Sequence, residues 1–122
     1  MTQKFNFGEI WIADLSPKVG TELGKLRPVL IIQNQILLEV KHPSTLIVPL
    51  TTNLIEDAEP LRIRIKAQDR LLKDSDLLID QIRAVDNKRL ITGSLMTCDK
   101  YFMRKIHKAI LEVIGVKMED LI

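Results

Sequence analysis

Between Gly8 and Thr97 the apolar residues come in short runs bounded by turn-forming residues, and this pattern constrains the fold most. Runs of that length suit strands, whereas a helix needs a three-to-four period sustained over ten residues or more. Leu61 to Lys66 (LRIRIK) alternates strictly, which predicts Leu61, Ile63 and Ile65 facing a core and Arg62, Arg64 and Lys66 facing water. Gly8 to Leu15 (GEIWIADL) reads as a first strand, with Ile10 and Ile12 on one face and Trp11 and Ala13 on the other. Pro28 to Gln33 (PVLIIQ) has the β-branched run of a buried strand, and Thr45 to Thr52 (TLIVPLTT) reads as a third. Asp76 to Ile82 (DLLIDQI) and Leu90 to Thr97 complete the strands, with a turn or single helical turn over Asn87 to Leu90. Lys18 to Lys25 and Gln35 to Pro43 read as loops.

From Asp99 onward the spacing changes. Phe102, Met103, Ile106, Ile110, Val113 and Ile114 recur by threes and fours, which predicts an amphipathic helix with Asp99 as N-cap and Gly115 as its stop. Strands followed by a helix, without a βαβ rhythm, predict a mainly β protein: a small antiparallel barrel or curled sheet with helical packing.

The 122 residues fit one domain over 1–122, and 46% hydrophobic with 28% charged residues excludes a disordered or low-complexity chain. No run approaches the roughly 18 apolar residues of a membrane span, and MTQKFNFGEI lacks a signal pattern, so a cytoplasmic protein without membrane contact is expected. A single cysteine, Cys98, excludes a disulfide framework and reads as a small apolar filler. Net charge is only +2, yet residues 61 to 110 hold 12 Lys/Arg against 6 Asp/Glu, a block that suits either an anionic partner or a solvated face.

P-loop, GxGxxG, HExxH and metal-ligand clusters are absent from the sequence, so neither cofactor nor metal is expected. The two histidines, His42 and His107, read as structural or exposed rather than as an acid/base pair. The remaining polar residues of interest lie at strand ends. Arg27 directly precedes Pro28, whose ring restricts the backbone before it, so the guanidinium projects from a fixed base as an anion clamp. Thr51 and Thr52 close the third strand after Pro49 and suit either phosphate contact or strand capping. Asp80 and Gln81 interrupt an apolar run, at a strand end or turned into a cleft, while Glu22 beside Thr21 suits a base edge or water.

Together, GEIWIADLSP, the Gly20-Thr21-Glu22 loop leading to LRPVLIIQN, IVPLTT and LLIDQIRAVDNKRL, followed by a C-terminal helix, resemble the MazF/PemK family of toxin endoribonucleases of type II toxin-antitoxin pairs. The resemblance implies a small SH3-like β-barrel and a homodimer whose RNA groove follows the subunit interface. It implies metal-independent, sequence-specific cleavage of single-stranded RNA and a cognate antitoxin with a disordered acidic tail, through which alone operator DNA would be met. Carried onto this chain, Arg27 matches the catalytic arginine before proline and Thr51 the catalytic threonine, with Thr52 as the alternative. Thr21 and Glu22 match the loop approaching RNA, Asp80 and Gln81 the polar pair lining the groove, and Asn34 a weaker contact there. Cleavage-sequence preference is expected from Gln35 to Pro43 and Asn53 to Glu59, with the acidic Glu56 to Glu59 facing away from RNA. Two alternatives share the fold: an RNA-binding relative without turnover, and a CcdB-like poison of DNA gyrase, whose C-terminal ending Gly115 to Ile122 does not resemble. Apolar runs such as IVPL and LLID exceed what one small barrel obviously hides, which independently favours a dimer.

Overall fold

A computed structural model describes residues 4–16, 20–21 and 25–121. Seven strands form the framework: β1 (Glu9–Asp14), β2 (Leu26–Ile31), β3 (Ser44–Thr51), β4 (Arg62–Ile65), β5 (Ser75–Leu78), β6 (Arg83–Asp86) and β7 (Leu90–Thr97). They pair antiparallel in the order β4-β5-β3-β2-β1-β7. β6 joins the edge of β3 shared with β5, taking Ser44–Ile47 while β5 takes Leu50 and Thr51. The architecture is therefore the expected mainly β, antiparallel one with a C-terminal helix.

Both faces of the central strands are covered, which explains the near-continuous apolar run of β3. On one face Ile10, Leu30, Val48, Leu50, Ile63 and Leu77 pack beneath helix α2 (Lys100–Val113) through its Met103, Ile106 and Ala109. On the other, Trp11, Ala13, Leu15, Val29, Ile31, Ile47, Val85 and Leu90 form a second cluster. Gly93 of β7 lies against the Trp11 ring, where an added Cβ would come within 2.2 Å of it.

Helix α2 begins and ends where the sequence indicates. The Asp99 side chain accepts from the Phe102 amide at 2.8 Å. Gly115, at φ +82°, and Val116 return their amides to the Glu112 and Leu111 carbonyls, closing the helix with a Schellman pair.

Three expectations are corrected. Asp76 to Ile82 is not one strand: β5 ends at Leu78, a 3-10 turn covers Ile79–Gln81, and β6 follows. An apolar run fixes burial but does not report a break in direction. Gln35 to Pro43 is not loop throughout, because Gln35–Glu39 forms a short helix, α1, capped by Asn34, whose Oδ1 accepts from the Ile36 amide at 2.9 Å. In β4, Ile63 and Ile65 are buried as expected, but Leu61 is 49% exposed. Arg62 and Arg64 are half-buried in an ion-pair cluster rather than solvated.

Candidate active site

The site forms where β2 and β3 part. Their ladder pairs Ile31, Leu30 and Val29 with Ile47, Val48 and Pro49, and stops short of Pro28, which has no N–H to offer. Continued past the ladder, the same register sets Arg27 opposite Thr51. By strand alternation Arg27 shares a face with Val29 and Ile31, and Thr51 with Ile47 and Pro49, so both belong to the Trp11 side of the sheet. Arg27 is half-buried, its backbone held in register against Ala13 of β1. Thr51 is 8% exposed, and its Oγ1 accepts from the Asn53 amide at 3.1 Å. Thr52 lies just beyond the strand, exposed.

A cleft of about 250 Å3 opens on this face, lined by Leu15, Thr21, Pro49 and the stretch Asp80 to Arg83. Asp80 and Gln81 reach it from the 3-10 turn between β5 and β6, which buried Ile79 anchors to the core. Thus Thr21, Asp80 and Gln81 come together, with Pro49 linking their cleft to Thr51 two residues along β3. Arg27 and Thr51 stand beside the cleft rather than among its lining residues. Asn34 stands apart, past the opposite end of β2, engaged in capping α1. Glu22 lies outside the described residues.

Sequence reasoning missed two features. Arg83 completes the cleft, and only its position after Asp80-Gln81 hinted at that. The other is Asp76, whose side chain is 1% exposed beside Thr51 on the neighbouring strand. It accepts from Arg64 Nε at 2.5 Å, Arg62 Nη1 at 3.2 Å and the Ile55 amide at 3.0 Å. Burial alone would push its carboxyl up, but the bonds from Arg64, the Ile55 amide and Arg62 outweigh burial and hold it below the usual carboxylate range. Glu56 pairs with Arg64 at 3.0 Å and Glu59 with Lys105 at 3.2 Å, so these acidic groups have cationic partners within the chain.

Neither histidine nor the cysteine contributes. His107 is exposed on α2 near the Phe7 ring, and burial, followed by the nearby Asp99 charge, pushes the Cys98 thiol up to about 12. Among the described residues no cluster of three or more His, Cys, Asp or Glu has the arrangement to hold a metal ion, and no helix is long and apolar enough to cross a membrane.

Comparison with known proteins places the fold and the family. The solved structure of MazF from Deinococcus radiodurans superposes with a TM-score of 0.78 at 16% identity, over 94% of this chain and 100% of that one. An endoribonuclease from a mycobacterial species, solved in complex with its cognate antitoxin, superposes with a TM-score of 0.70 at 20% identity, over 95% of this chain and 98% of that one. In sequence, the chain is 40% identical over 105 residues to the endoribonuclease MazF of Staphylococcus saprophyticus, covering 84% of this chain and 85% of the relative. Residues 6–114 match the model of the PemK-like, MazF-like toxins of type II toxin-antitoxin systems, and the chain belongs to that family.

Proposed function

We propose that the protein is the toxin of a type II toxin-antitoxin pair and cleaves single-stranded RNA at the parted end of β2 and β3, without a bound metal. The observation that carries this reading is the β2–β3 register, which ends at Val29 and Pro49 and, continued, brings Arg27 and Thr51 to the same parted end, on the face of the cleft lined by Thr21, Asp80 and Gln81.

RNA brings its own nucleophile. The 2′-oxygen attacks the adjacent phosphorus, the bond to the 5′-oxygen breaks, and the 2′-hydroxyl proton ends on the departing oxygen. A 2′,3′-cyclic phosphate and a 5′-OH result. The protein's task is to hold the backbone in line and stabilise charge on the phosphorane. Arg27 offers a planar fork of N–H donors to the non-bridging oxygens. Thr51 adds a hydroxyl donor, since its oxygen already receives the Asn53 amide and its own proton stays available. An arginine side chain is a strong hydrogen-bond donor with no acceptor to offer, so Arg27 acts chiefly through charge. Thr21, Asp80 and Gln81 meet splayed bases in the cleft, as single-strand recognition requires.

Family membership and the antitoxin-bound relative support an antitoxin as natural partner. A homodimer is part of the reading, but not on the ground of the IVPL and LLID runs, since Ile47 to Leu50 and Leu77 to Ile79 are buried within the single chain; its support is Ile36, Leu37, Val40 and Leu46, exposed apolar groups that a second copy would cover.

The test is cleavage of a long single-stranded RNA in EDTA, with fragment ends mapped. Discrete cuts leaving 5′-OH ends, abolished by a 2′-deoxy substitution at the cut position, are expected. Tight RNA binding without cleavage would instead identify a relative that has lost turnover.

A further inference from the structure

We infer that Asp76, together with the two arginines it anchors, is a positioning residue for Thr51; the inference rests on the reading of Thr51 given above. Three strands carry the argument. Arg64 of β4 lies opposite Asp76 of β5, and Asp76 lies opposite Thr51 of β3, so one polar row crosses the sheet and leads toward Arg27. Directly opposed residues of antiparallel strands point to the same face.

The row continues into the chain that follows Thr51. Asn53 to Glu56 belongs to no strand, yet among the described residues the hydrogen bonds that fix it come from this cluster or from Thr51 itself. Arg62 Nη1 donates to the Asn53 carbonyl at 2.7 Å, and the Ile55 amide donates to Asp76 Oδ2 at 3.0 Å. Arg64 Nη2 donates to the Ile55 carbonyl at 3.3 Å, and its Nη1 to Glu56 Oε1 at 3.0 Å. The Asn53 amide in turn donates to Thr51 Oγ1. A hydroxyl that accepts one fixed bond is left with its proton on a restricted arc. The placement of Asn53 therefore sets where Thr51 donates, and Asp76 sets the placement of Asn53.

Chemistry favours this assignment over a purely architectural role. A carboxylate 1% exposed is costly unless fully paired, and an apolar pair would fill the same space more cheaply. Beyond their bonds to Asp76, the two guanidiniums make three further donations, one each to the Asn53 carbonyl, the Ile55 carbonyl and the Glu56 carboxylate. The cluster is thus built around the segment that holds Thr51.

The test uses the protein as described and steady-state cleavage of one RNA oligonucleotide by wild type, Asp76→Asn, Thr51→Ala and the double variant, with circular dichroism confirming the fold. Asp76→Asn is expected to lower kcat by about tenfold or more while KM stays within about twofold, the cost of a misplaced donor. In the Thr51→Ala background the same change should matter by less than about twofold, because the two act as a unit. Arg62→Gln, which frees the Asn53 carbonyl but keeps the Arg64–Asp76 bond, should show a smaller loss in kcat alone, and it carries the test if Asp76→Asn does not fold. Wild-type kcat in the folded variants would overturn the inference, as would equal losses in both backgrounds. A Thr51→Ala variant as active as wild type would remove the reading of Thr51, and the inference with it.

Discussion

Replacing Asp76 by Asn should destabilise the protein in a way that depends on pH. The wild-type carboxylate is 1% exposed and receives three bonds, two from guanidiniums whose side chains are only 19% and 33% exposed. Asn retains one acceptor for the Ile55 amide but turns its NH2 toward an arginine and carries no charge. A hydrogen bond to a charged group is worth about 1.5–3 kcal/mol, and breaking a buried pair costs up to about 5. Because Arg64 keeps Glu56 and remains partly in water, the upper end does not apply and about 2–4 kcal/mol is expected, or roughly 10 °C in Tm for a chain of this size. The sign with pH follows from linkage. The folded carboxyl titrates below the unfolded value of about 3.9, so its contribution is complete above that value and is lost as pH falls through the folded one. Urea melts of both proteins at several pH values between about 7 and 2.5 measure this directly, with the difference expected to be constant to about pH 5 and to shrink below about pH 4. A difference under about 0.5 kcal/mol at neutral pH, or one unchanged at the acid end, would refute the reasoning.

Other outcomes follow from single contacts. Gly93→Ala would place a methyl within 2.2 Å of the Trp11 ring, so a loss of about 1–3 kcal/mol and an altered tryptophan emission are expected; an unchanged melt would contradict that packing. Asp99→Ala removes the cap of α2 and should cost about 1 kcal/mol, with Asp99→Asn restoring most of it. Cys98, buried and with its thiol raised to about 12, should resist a thiol reagent at pH 8 in the folded protein and react promptly in denaturant.

The elements legible in the sequence are those whose pattern is local. Leu90 to Thr97 and the helix from Asp99 to Gly115 declare themselves through period and caps, and both stand where the pattern puts them. Asp76 to Ile82 shows what periodicity misses: burial on both sides of a turn erases the alternation that would have marked it. Helix α1 is five residues long, too short for a helical period to register. The site divides the same way. Arg27 before Pro28 and the threonines after Pro49 are visible as strand-end features, and the family resemblance singled out Thr51 among them. Asp76 carries no local mark at all, since its partners lie 12 and 14 residues back on another strand and meaning comes only from the register. The alternation of LRIRIK correctly buries Ile63 and Ile65 but says nothing of what the arginines between them meet.

The most direct measurement is the cleavage rate of one single-stranded RNA in EDTA by wild type, Arg27→Ala and Thr51→Ala, each verified as folded. The account requires cuts with 5′-OH ends by the wild type and a loss of about a hundredfold or more in both variants, the scale of removing a transition-state donor. Variants that cleave within about threefold of wild type would contradict it, because the chemistry would then reside elsewhere than the parted end of β2 and β3.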